Sequence, residues 1–241
     1  MIDMTKYWYS PPYVIHMAEE IIKAYGQENI DKDTLFQKIG EMKCAAIMLL
    51  GLHKAFGTHF FMQSSLDQFP DVWTLYQEEV PGENVDTKYQ TVEVVTYEVH
   101  TSIPVVDFIL KSKLINPKKA YDDETIILCY IRKAGTFIDY DLLYQKLQRY
   151  RFKPTRVFVI GNKMENPQIF KLSQIWPVVH HEDVDYVEAT KIYPLPHRKF
   201  FKKGISKKIN NKFATSVVRT NPYQVFNLDE QILIAKYKVG V

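Results

Sequence analysis

Apolar residues recur at helical spacing through "YVIHMAEEIIKAYG", and Ser10 followed by Pro11 supplies a helix start while Gly26 supplies a stop. A second, longer helix is predicted through "TLFQKIGEMKCAAIMLLGLHKAFG", with Asp31 or Asp33 as cap and an end near Gly57. Its Gly40 and Gly51 lower helix propensity but permit close packing. The period then changes. "THFFMQSSLDQFPDVWTLYQEE" reads as one or two strands with a turn, followed by a loop holding Pro81 and Gly82. "TVEVVTYEV", Thr91 to Val99, is apolar on both of its alternating faces, the pattern of a strand covered on two sides. "TIILCYI" is a further strand, "YDLLYQKLQRYRF" a helix and "TRVFVIGN" another strand. "PQIFKLSQIWP" is read as a helix, and "HHEDVDYVEATKIYPLP" fits no single period.

This order of helix, strands, helix and strand predicts an α/β fold, a mixed β-sheet flanked by helices, with a parallel βαβ unit over about residues 125 to 162. Residues 1–30 form an N-terminal helical segment, 31–194 the α/β core and 195–241 a basic C-terminal extension, with a soft boundary near Pro194 and Pro196.

With 241 residues, 46% of them hydrophobic, the chain has enough apolar side chains for a sizeable core. Its two cysteines, Cys44 and Cys129, both lie in apolar runs, which argues against a disulfide framework or a thiolate zinc site and for a reducing, cytoplasmic setting. The start of the chain lacks a signal-peptide layout, and "CAAIMLLGL" is too short to span a bilayer, so no membrane role is expected. A net charge of +3 identifies no partner, but its distribution is uneven. "RKFFKKGISKKINNK" holds seven basic residues and no acidic one. Lys202, Lys203, Lys207 and Lys208 in it suit a phosphate backbone, and its phenylalanines suit stacking on bases. A solvated charged face, or a surface for anionic lipid, is the competing reading of the same segment.

Three carboxylates stand out. Glu41 lies in the long helix, Asp71 follows Pro70 at the head of a strand, and Glu93 interrupts the doubly apolar strand. An ionised group in such a strand needs a partner or a metal. If the two strands are neighbours under the helix, the three acids converge into an oxygen cage of the kind Mg²⁺ or Mn²⁺ takes, able to polarise a phosphodiester and activate water. Each acid also has an ordinary reading: Glu41 paired with Lys38 or Lys43, Asp71 as a turn residue, Glu93 in a salt bridge to a helix cation.

On these residues the chain resembles the PD-(D/E)xK nuclease superfamily, the restriction-endonuclease-like and Holliday-junction-resolvase-like proteins. "GEMKCAAIMLLGLHKAFG" resembles the family's first helix, "PDV" at residues 70–72 its Pro-Asp element, and "VEVV" at 92–95 its acid-x-lysine strand, over roughly residues 33 to 160. The resemblance implies a restriction-endonuclease-like core, Mg²⁺ or Mn²⁺ on Glu41, Asp71 and Glu93, DNA as substrate, and a homodimer or larger assembly where both strands are cut. Val95 stands where the family has its lysine, and valine can neither orient nor deprotonate water. Lys133, or Arg132 beside it, is the replacement cation considered. The alternative is a pseudo-nuclease that keeps the fold as a nucleic-acid-binding or protein-docking subunit.

Other motifs carry less. "VVHHEDVD" has no helical HExxH spacing and is read as an exposed loop rather than a metal site. No Walker loop, GxGxxG or GxSxG is present, which removes support for nucleotide hydrolysis, dinucleotide redox chemistry and an α/β-hydrolase mechanism.

Overall fold

The computed structural model describes residues 8–26, 34–64, 70–78, 86–114, 124–133, 135–149, 154–193, 199–200 and 215–216. Helix α1 spans Pro11–Tyr25 and ends on Gly26, whose φ of 80° needs glycine's freedom at the stop. Helix α2 spans Thr34–Phe56. Strands β1 (Trp8–Tyr9), β2 (Phe60–Ser64), β3 (Val72–Glu78) and β4 (Asp86–Tyr97) pair antiparallel in that order. The chain then crosses over through a short helix α3 (Val105–Ile109), continued by a π-helical turn at Leu110–Leu114, to β5 (Thr125–Ile131), which pairs parallel with β4. Helix α4 (Tyr140–Gln148) leads to β6 (Arg156–Lys163), parallel to β5 as the sequence predicts. Strands β7 (Asn166–Trp176) and β8 (His180–Asp185) complete this side antiparallel, and α5 spans Tyr186–Ile192. Two-residue strands at Lys199–Phe200 (β9) and Thr215–Ser216 (β10) extend the other edge beyond β1.

The sheet separates two apolar layers. On one face, Val92 and Val94 of β4, Ile126 and Leu128 of β5, and Phe158 and Ile160 of β6 pack with α1, α2 and Ala189 of α5. On the other, Tyr97, Ile127, Cys129, Val157 and Val159 pack with α3, its π turn and α4. Alternation along each strand decides the layer of every side chain. A smaller cluster of Trp8, Phe61 and Leu75 covers the strands near β1.

Two expectations are corrected here. Residues 167–177, read as a helix, lie mostly in β7: Phe170 and Leu172 enter the α2 layer while Ser173 and Ile175 lie on the alternate face, so the period is two. "HHEDVD" is not a loop but β8, the strand beyond β7, with Val184 buried under α2. Helix α2 approaches these strands closely at Gly51, where an added Cβ would sit 2.6 Å from Leu172 Cδ2 and 2.8 Å from Val184 Cγ2. No described helix is long and apolar enough to cross a membrane.

Candidate functional site

Asp71 stands immediately before β3, so its side chain escapes the alternation that would carry it away from α2. Its Oδ2 accepts the Val94 backbone N–H at 2.7 Å, and its Oδ1 accepts Lys38 Nζ at 2.9 Å. Lys38, on α2, also lies 3.0 Å from Glu41 Oε2, three residues along the same helix face. Gln37 Nε2 donates to Glu41 Oε1 at 2.9 Å. The cluster is therefore a carboxylate, an ammonium and a second carboxylate, with the ammonium in the middle.

Its electrostatics follow from that order. Burial is the main cause that raises the Glu41 pKa above the usual carboxylate value, and the Asp71 charge adds to it, against the opposing pull of Lys38 and Gln37. For Lys38, burial alone would favour the neutral amine. The charges of Asp71 and Glu41 outweigh it and hold the pKa above the ordinary lysine value. The lysine stays an ammonium, so the space between the two acids already contains a cation.

Glu93 is elsewhere. It alternates with Val92 and Val94, which face α2, and shares its side with Val95 and Tyr97, which pack with α3 and α4. There it is fully buried, and its Oε2 accepts Lys113 Nζ at 2.6 Å. Lys113 comes from the π-helical turn after α3 and is itself buried. The structure thus brings Glu41 and Asp71 together and separates Glu93 from them by the thickness of the sheet. The expected three-carboxylate cage is corrected accordingly: among the described residues no group of three or more His, Cys, Asp or Glu side chains is placed to hold a metal ion.

Lys133 does not reach the acids either. Glu93 is registered opposite Ile127, and Lys133 lies beyond Ile131, the end of β5, after roughly 13 Å of strand. Its Nζ donates to Thr101 O at 3.2 Å, and neighbouring Arg132 pairs with Glu98 at 3.3 Å. Lys43 pairs with Glu19 at 3.3 Å on another side of α2. Lys202, Lys203, Lys207 and Lys208 lie outside the described residues.

Two of the "HHEDVD" acids are committed to ion pairs, Glu182 with Lys54 of α2 and Asp183 with Lys163 of β6, and the third, Asp185, caps α5 by accepting the Val187 and Glu188 N–H groups. His181 Nδ1 lies 2.9 Å from Ser173 Oγ, and its ring packs on Tyr140 with centroids 4.8 Å apart. Both cysteines are buried, which pushes the Cys44 thiol up to about 12 and raises Cys129 as well, so neither is a thiolate near neutral pH.

Sequence reasoning did not single out Lys113. A signal was present: Val105, Val106, Ile109, Leu110 and Lys113 all fall on one helical stripe and are buried, so the lysine occupies a core position of its turn. A cation at an apolar position calls for an acid across from it, and Glu93 is that acid.

Compared with protein-family models, curated proteins and solved structures, the chain gives no match.

Proposed function

We propose that the chain is a restriction-endonuclease-like domain that binds nucleic acid without hydrolysing it. The fold-level support is the order of elements: α2, the antiparallel strands β2, β3 and β4, a helical crossover, and β5 parallel to β4. It is the order the sequence resemblance implies, with Glu41 on the helix and Asp71 at the head of the second strand.

One observation carries the non-hydrolytic reading. The Lys38 ammonium lies 2.9 Å from Asp71 Oδ1 and 3.0 Å from Glu41 Oε2, while the β4 residues that flank Glu93 on that side are Val92 and Val94. The donor set does not fit Mg²⁺ or Mn²⁺. Two carboxylate groups already share one internal cation, one carboxylate oxygen is spent on a backbone N–H, and the third acid faces the opposite layer. The acid-x-lysine register shares this fault. Glu93 and Val95 point together into the α3 layer, so the motif residues never meet Asp71.

Nucleic acid is the preferred partner because the basic, phenylalanine-bearing segment 198–213 suits a phosphate backbone and exposed bases. The test is a pair of assays on the full chain. Fluorescence anisotropy with labelled single- and double-stranded DNA should show salt-dependent binding, and incubation with Mg²⁺ or Mn²⁺ should leave the DNA intact. Metal-dependent cleavage abolished by Asp71→Ala would restore the nuclease reading, and absence of binding to any nucleic acid would remove the binding one.

A further inference from the structure

A cleft of about 450 Å³ opens on the α4 side of the sheet, beyond the carboxyl ends of the parallel strands β5 and β6. Crevices in that position are where open α/β sheets take ligands, because the connections leave the strands there and diverge. Its floor is a row across three strands. Ile131 pairs with Gly161, and Gly161 pairs with Lys171. Gly161 leaves the middle of this floor without a side chain, and a Cβ there would be in ordinary contact with the Ile131 Cβ and carbonyl oxygen at 3.4 Å.

Among the described residues the lining contains Arg132, Lys133, Lys163 and Lys171 and no acidic residue. Two of the four cations are balanced from outside the cleft, Arg132 by Glu98 and Lys163 by Asp183. The other two are not. Lys133 donates to the Thr101 carbonyl oxygen, and Lys171 lies 5.9 Å from the centre of the Tyr140 ring. No carboxylate among the described residues pairs with either. Nearby Asp139 is committed to capping α4, accepting the Leu142 N–H at 2.8 Å. Phe137 stands in the chain between the lining residues Thr136 and Ile138 and is 85% exposed, and Met164 of the lining is 77% exposed; both are large side chains that gain from being covered.

From this combination we infer that the cleft is a nucleotide-binding site, holding one phosphate of a single-stranded nucleic acid between Lys133 and Lys171 and stacking the adjoining base on Phe137. A point charge without a carboxylate partner suits a phosphate oxygen, and an exposed ring suits any base because every base has a π-face. The volume falls within the range of small-ligand sites and accommodates one nucleotide unit, not a duplex. This inference rests on the nucleic-acid reading above and gives it a location on the folded core, separate from both carboxylate clusters.

The experiment measures binding of a fluorescein-labelled oligothymidylate of roughly 12 nucleotides, long enough to cross the cleft. The proteins are the full-length wild type, Lys133→Glu/Lys171→Glu, Phe137→Ala, and Lys191→Glu as a charge control remote on α5. Each is first checked for a wild-type thermal melt. The double variant should lose at least about tenfold in affinity, Phe137→Ala about fivefold or more, and Lys191→Glu little. Lys133→Arg/Lys171→Arg should retain binding, since the positive charge is kept. Equal binding by wild type, the double variant and Phe137→Ala overturns the cleft and leaves the nucleic-acid reading standing. Failure of the wild type to bind overturns both. Competition by unlabelled oligothymidylate but not by thymidine monophosphate at equal nucleotide concentration supports a strand as the occupant. Equal competition by the monophosphate overturns the strand assignment in favour of a free nucleotide.

Discussion

Glu93 Oε2 and Lys113 Nζ lie 2.6 Å apart inside the α3 layer, the carboxylate with no solvent exposure at all. Two charges buried this way stabilise one another only as a pair, so removing either leaves an uncompensated ion. Lys113→Met or Glu93→Leu alone should cost about 3–5 kcal/mol in denaturant unfolding, while the double replacement should recover most of that loss. Strictly additive single costs would show that the two side chains do not act together.

Lys38 and Glu41 each contribute a pH-dependent part of the stability. Glu41 titrates above its ordinary 4.5 in the fold, because burial and Asp71 oppose its charge. The folded chain therefore holds an extra proton between 4.5 and the raised value. Stability from this group is complete below 4.5 and is lost as pH rises through the folded value. Lys38 titrates above its ordinary 10.5 despite burial, because Asp71 and Glu41 favour its charge. Its contribution is complete below 10.5 and is lost as pH rises through the folded value. Unfolding curves across pH should show Glu41→Gln removing the acid-side decline and Lys38→Met removing the alkaline one.

Gly51 lets α2 pack close against β7 and β8. A methyl group there meets Leu172 and Val184 at 2.6 and 2.8 Å. Gly51→Ala gains helix propensity but must push both side chains, and Gly51→Val adds bulk that Val184, stiff at χ1, cannot avoid. Thermal melts should show Gly51→Val destabilised by about 2–3 kcal/mol, and Gly51→Ala by less.

Tyr193 ties the residue after α5 to the start of β2. Its hydroxyl accepts the Phe60 N–H at 2.8 Å and donates to the Phe60 carbonyl oxygen at 2.9 Å, all buried. Tyr193→Phe strands both backbone groups and should cost about 1–3 kcal/mol, while local hydrogen exchange at the Phe60 amide accelerates.

The elements that carried a clear period were legible in the sequence: both long helices, the meander strands, and the parallel pair β5 and β6. β7 was misread because its apolar residues also fit a short helical stripe, and only the pairing with β6 and β8 decides between the two. The site was half legible. Glu41 and Asp71 do meet, through Lys38, which the sequence offered only as an ordinary salt-bridge partner. Glu93 misled because a strand covered on both faces gives no sign of which layer an odd polar residue enters. The layer is fixed by Val92 and Val94 packing under α2, a tertiary fact. The same geometry applies to Val95→Lys. The new ammonium would enter the α3 layer beside Glu93, so the variant should be destabilised in thermal melts and should gain no DNA cleavage.

Lys38, and not a metal, takes the space between Glu41 and Asp71. The direct measurement is a Mn²⁺ titration of the wild-type protein near neutral pH, with free Mn²⁺ followed by electron paramagnetic resonance. With Lys38 in place the wild type should show no stoichiometric uptake, and Asp71→Asn should give the same trace. One equivalent of Mn²⁺ taken up by the wild type and released by Asp71→Asn would contradict this.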